Sequence, residues 1–152
     1  FADMDTKAFW FGFSDVNGDT SILEGEQLVA ASGTLTLSAS DLCGFLLDAE
    51  ATDDEDWIMA YNGGTTTGET TISNIDADDD AVAGEFQILR LEIANNGTAR
   101  WYVDGVLKQT TTGAVSTSTD LALVTMIEAR SAAIEYAYLD YIYVSANRDW
   151  TV

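Results

Sequence analysis

Proline and histidine are absent from this chain of 152 residues, it has one cysteine, and six lysines and arginines stand against 26 aspartates and glutamates. Each shortage excludes something. Without histidine, the usual general base at neutral pH and the commonest transition-metal ligand are missing. A lone thiol cannot close an intramolecular disulfide, so the fold has to be held by its core. Cys43 lies in the apolar run Leu42 to Leu47 and reads as a small buried hydrophobe. A net charge of −20 with no cluster of Lys or Arg excludes nucleic acid as a partner, because phosphate binding needs cations to replace the counterions. No apolar stretch reaches the length of a spanning helix and no charged-then-apolar leader opens the chain, so no membrane partner is expected.

What is present suits a globular protein. Apolar residues make up 47% of the chain, including six Phe, four Trp and six Tyr, enough to offset the conformational entropy of folding. No linker composition divides the chain, and a single domain over 1–152 is expected. The acidic charge is uneven. Residues 1 to 85 hold 19 acids and only Lys7, whereas residues 86 to 152 hold seven acids and five bases. Three readings of that excess stand side by side: a surface adapted to salty water, a docking face for a cationic partner, or cation-binding loops.

Short β-branched and aromatic runs recur between clusters of Gly, Asn, Asp, Ser and Thr, and helical periodicity is nearly absent. Strands are predicted at Ala8–Phe13, Gln27–Ala31, Thr34–Ser38, Gly44–Ala49, Trp57–Tyr61, Thr70–Ile75, Phe86–Ile93, Ala99–Val103, Val106–Thr110, Leu121–Ile127 and Ile134–Val144. Leu42 to Ala51 admits a short helix as the alternative. The clearest unit runs from Gln87 to Thr110. Leu89, Leu91 and Ile93 alternate with Arg90 and Glu92, Asn95-Asn96-Gly97 turns the chain, and Asp104-Gly105 turns it again. A three-stranded meander follows. Many short strands without helices imply two antiparallel sheets packed face to face, with the long segment Ile134–Val144 in the middle of the larger one.

The segment Leu89 to Thr110, LRLEIANNGTARWYVDGVLKQT, resembles the meander of the concanavalin A-like or laminin G-like jelly roll. The closing LDYIYVSANR, Leu139 to Arg148, and the opening FWFGFSD, Phe9 to Asp15, resemble the last and first strands of the same group. With GFLLDAEA, these segments look most like the lectin-like domains of capsid decoration or fibre proteins in tailed viruses. The resemblance implies an all-β, two-sheet antiparallel jelly-roll sandwich with a virion role: docking on the capsid shell, a location on the virion surface or outside the cell, and a glycan as the alternative ligand. A homo-oligomer is a further expectation.

Catalysis is not expected. Retaining glycosidases of that superfamily need two carboxylates about 5 Å apart, which on a strand means acids two or four positions apart on one face. Glu135 and Asp140 are five apart and point to opposite faces of a regular strand, and Glu92 stands alone between Leu91 and Ile93. The clusters Asp53 to Asp56 and Asp76 to Asp80 read as solvated loops.

Two binding features are candidates. Asp15, Asn17, Asp19, Ser21 and Glu26 carry oxygens at the spacing of a calcium loop, although Thr20 stands where such loops have Gly and a strand precedes instead of a helix. The competing reading is an ordinary Asx and Gly turn, so calcium is an optional ligand and no cofactor is required. Tyr136, Tyr138, Tyr141 and Tyr143 lie two by two on opposite sides of the final predicted strand. One pair is expected outside the core, where its rings would stack on a sugar or meet a protein, while packing claims the other.

Overall fold

The computed structural model describes residues 6–16, 28–132 and 134–146. Ten strands form antiparallel ladders, with no α-helix among the described residues and hence none long and apolar enough to cross a membrane. The strands are β1 (Lys7–Ser14), β2 (Leu28–Ala31), β3 (Thr34–Leu37), β4 (Leu42–Asp48), β5 (Asp56–Asn62), β6 (Asp76–Asp80), β7 (Leu89–Ile93), β8 (Ala99–Val103), β9 (Val106–Thr111) and β10 (Ala122–Ala129). They make a five-stranded sheet in the order β10-β1-β4-β5-β6, a three-stranded sheet β7-β8-β9 and the hairpin β2-β3.

Strands β1, β4 and β5 are buried along nearly their whole length, which is why they read as continuous apolar runs rather than alternating ones. Residues opposite one another in an antiparallel ladder share a face. The registers Phe9↔Leu47, Cys43↔Tyr61 and Phe45↔Met59 therefore build one face, and Trp10↔Leu46↔Ile58 builds the other. The first face meets the three-stranded sheet: Trp101 packs 5.9 Å from Tyr61, and Trp57 Nε1 donates to Gln87 Oε1 at 2.9 Å. Toward the second face the hairpin β2-β3 is tied down by Ala30 N, which donates to Asp48 Oδ2.

Two glycines make room for one of the core tryptophans. Gly12 and Gly44 lie opposite each other in β1 and β4, and a Cβ on Gly44 would stand 2.6 Å from Gly12 Cα and 2.8 Å from Trp10 Cη2. The indole of Trp10 lies over this bare backbone and is fully buried. Asp48, also fully buried, is neutralised by Arg130 beyond the end of β10, whose Nε and Nη2 reach its two oxygens at 3.1 and 2.7 Å. Such a fork satisfies both oxygens of a desolvated carboxylate and fastens the edge strand to the centre.

The meander forms as the turns require. Asp104 and Gly105 have φ of 49° and 83°, the left-handed pair of a two-residue hairpin turn, and Gly97 has φ of 77°. The strand expected at Gly44–Ala49 forms as β4, and the helix alternative for Leu42 to Ala51 does not. Other expectations fail. Thr70–Ile75 is not a strand but holds a 3-10 turn, Ile72–Asn74, flanked by the isolated bridge Thr34↔Thr71. Asp76–Asp80 is edge strand β6 rather than a loop, because Ile75, Ala77 and Ala81 bury beside β5 while the intervening acids face outward. The largest correction is Ile134–Val144, which pairs with no strand among the described residues and carries no regular structure there; β1 and β4 occupy the middle of the large sheet instead.

Candidate binding surface and carboxylate cluster

Tyr136, Tyr138, Tyr141 and Tyr143 are all exposed, by 59 to 79%, so both pairs lie outside the core rather than one. The physical reason is in the segment's pattern. Both of its faces are largely apolar, Ile134, Ile142 and Val144 on one and Ala137 and Leu139 on the other, which suits a strand paired on both edges and covered on both sides. No sheet edge of the described residues receives it. It is held at its start, where Glu135 accepts from Thr6 Oγ1 and faces Lys7 Nζ at 3.0 Å, and Ala137 packs against the core. These contacts hold the Glu135 carboxyl below the usual glutamate range, the Thr6 hydroxyl contributing most and Lys7 next.

More apolar surface is exposed around the three-stranded sheet: Phe86 at 72%, with Ile88, Ile93, Val106 and Leu107. These residues and the tyrosine segment belong to the less acidic part of the chain.

The acidic part holds a constellation that spacing does not reveal. Pairing of β5 with β6 sets Asp56 directly opposite Asp80, and one carboxylate oxygen each from Asp53, Asp56 and Asp80 lie within 4.8 Å of one another. Asp56 is only 4% exposed, and its Oδ1 accepts from Asp79 N at 2.6 Å. Burial raises its carboxyl above the usual aspartate range, that hydrogen bond pulls it back, and Asp53, Asp76 and Asp80 push it up further. Asp76 is raised as well, by burial first and then by Asp78 and Asp53. Asp79, next to Asp80 in the chain, is paired with Lys108 at 2.8 Å. Carboxylates so placed are the donor set a hard cation prefers.

Of the predicted calcium loop, Asn17, Asp19, Ser21 and Glu26 lie outside the described residues. Asp15 is described and is occupied with the backbone: its Oδ1 accepts from Asp41 N, and its own N–H donates to Asp41 O. The Asp41 side chain is the odd one there. Its Oδ1 is buried without a hydrogen-bond partner, packed so closely on Gly63 that a Cβ at that glycine would stand 2.1 Å away.

Glu92 is engaged and Cys43 is inert. Glu92 accepts from Tyr102 Oη and pairs with Arg90. Burial pushes the Cys43 thiol well up, which suppresses the thiolate a nucleophile needs. A shallow pocket of about 200 Å³ lined by Gly63, Gly64, Thr65, Asn96, Gly113, Val115, Ser116 and Thr117 has no ionisable side chain in its wall.

Compared with known proteins, the chain matches no family model, no curated protein and no solved structure.

Proposed function

We propose that the chain is a non-catalytic interaction domain of a virus particle, a jelly-roll sandwich that docks on the capsid shell through its less acidic half and turns its acidic half to solvent. The observation that carries this reading is the distribution of exposed apolar side chains. Of the large apolar side chains exposed among the described residues, all but Val82 belong to residues 86–152, Phe86, Ile88, Val106, Leu107 and the four tyrosines among them, and exposed apolar side chains of this kind mark protein contacts. The virion assignment itself draws on the resemblance of the first strand, the meander and the closing segment to lectin-like virion domains.

Co-sedimentation with assembled capsids tests it. Binding is expected to saturate and to weaken when Phe86 and Ile88 are replaced by serine. A protein that stays in the supernatant at every capsid concentration defeats the reading. The alternative, a glycan-binding domain with structural calcium, rests on the exposed tyrosine rings, and a glycan array with and without chelator separates the two.

A further inference from the structure

We propose that the segment 134–144 is a strand in search of a sheet, and that the sheet is the β7 edge of a second copy of this chain. The inference concerns the purified chain alone and goes beyond the capsid-docking reading.

The segment has the β-branched and aromatic composition of a strand, yet its backbone joins no ladder among the described residues and its side chains are largely exposed on both faces. An unpaired apolar strand and an unpaired sheet edge are complementary by construction, since each offers the N–H and C=O groups the other lacks. Strand β7 offers such an edge. It is an outer strand of β7-β8-β9 and pairs only with β8 among the described residues; Ile93 stands exposed on it, and Phe86 and Ile88 stand exposed just before it.

Area and charge favour a second copy as the occupant. With aromatic side chains burying 150–250 Å² each, the exposed parts of the four tyrosines and of Ile134, Leu139, Ile142 and Val144 amount to roughly 900 Å² per segment. A reciprocal exchange counts that twice, and the roughly 1,800 Å² so buried lies within the range of stable interfaces. A two-fold arrangement puts the same two surfaces together twice and closes. Residues 86 to 152 carry seven acids and five bases, so copies meeting there avoid the strongly acidic residues 1 to 85. Arg90 on β7 and Arg100 on β8 meet a segment whose free acid is Asp140.

Sedimentation of the purified chain over a range of concentrations, with hydrogen exchange on the same samples, tests the proposal. A species of twice the monomer mass is expected, with amides of β7 and of 134–144 protected together as it forms. Leu139→Pro, which removes a ladder donor, and Ile142→Lys, which charges the interface, are each expected to halve the mass and release both sets of amides. Unchanged near-ultraviolet dichroism of Trp10 and Trp101 shows the core still folded. A monomer at every concentration overturns the proposal, whether its segment is exposed or protected against its own sheet, and so does a dimer that survives both substitutions.

Discussion

Lys7 Nζ and Glu135 Oε2 lie 3.0 Å apart, with the lysine side chain fully buried and the glutamate side chain 6% exposed. One residue opens the first strand and the other lies at the start of the tyrosine segment, so this ion pair, with the Thr6 hydrogen bond to the same carboxylate, helps fix where the segment leaves the body. Glu135→Gln keeps an acceptor for Thr6 but removes the charge facing the buried ammonium. A lower Tm is expected, with faster hydrogen exchange confined at first to 134–146. The pH dependence has a definite sign. The Glu135 carboxyl is held below its ordinary range in the folded chain, so its contribution is complete above that range and is lost as pH falls through the folded value. Acidification is therefore expected to loosen the segment in the wild type, and much less in the variant. Equal acid sensitivity in both proteins would show that the pair does not anchor it.

The two fully buried tryptophans differ in one respect that predicts opposite behaviour. Trp101 Nε1 donates to Gly44 O at 2.9 Å, whereas Trp10 Nε1 is buried with no hydrogen-bond partner among the described residues. Replacement by phenylalanine leaves a cavity in both cases, but at Trp101 it also breaks a buried hydrogen bond, and at Trp10 it removes an unsatisfied donor. Trp101→Phe is expected to be the more destabilising by ~1–3 kcal/mol, the range for an abandoned buried polar group. Denaturant melts of the two variants check this; equal losses would mean the hydrogen bond contributes nothing.

Gly44→Ala tests the bare floor beneath Trp10. The new methyl would meet Phe11 O at 2.5 Å and Gly12 Cα at 2.6 Å, both backbone, so no side-chain rotation relieves the clash. A loss of ~1–3 kcal/mol is expected, the usual cost of overpacking. Gly33→Ala, where a Cβ meets nothing within 4 Å, serves as the control and should leave the denaturation midpoint nearly unchanged.

These contacts also show what the amino-acid order reveals and what it hides. Strand β8 is legible to the residue because the turn at Asn96-Gly97, with Gly97 left-handed, and the left-handed pair Asp104-Gly105 bound it on either side. Strand β6 is not, since Asp76 to Asp80 has almost no intrinsic preference for a strand and forms one only where its neighbours Ile75 and Ala81 bury beside β5. The strand-like composition of Ile134 to Val144 is plain, but the pairing partner of a strand is a property of the assembled sheet, and no sheet edge among the described residues accepts it. The three-carboxylate cluster is hidden for a related reason. Asp53 and Asp56 reach Asp80 only through the register of two strands whose connecting segment contains a 3-10 turn.

That cluster gives the last prediction. Asp56 and Asp80 are like charges directly opposite in a ladder, an arrangement that costs ~0.2–1 kcal/mol and less at high salt. Anything that neutralises one of them should stabilise the fold, whether amide, proton or cation. Asp80→Asn is expected to raise Tm at neutral pH and low ionic strength, with the gain shrinking as salt is added. Protons act in the same direction. Because Asp56 and Asp76 titrate above the ordinary aspartate range in the folded protein, their ionisation weakens the fold, and lowering the pH from neutral through their folded values restores that stability. This is the reverse of the sign at Glu135, so the two groups separate in a pH series with Asp80→Asn and Glu135→Gln run in parallel. Calcium added to chelator-treated protein supplies the third form of neutralisation. If the cluster takes it up, the rise in Tm disappears in Asp80→Asn and persists in Asp15→Asn; if the loop beginning at Asp15 takes it up, the two variants exchange behaviour. A Tm that Asp80→Asn leaves unmoved at low salt would mean that solvent already screens these carboxylates from one another.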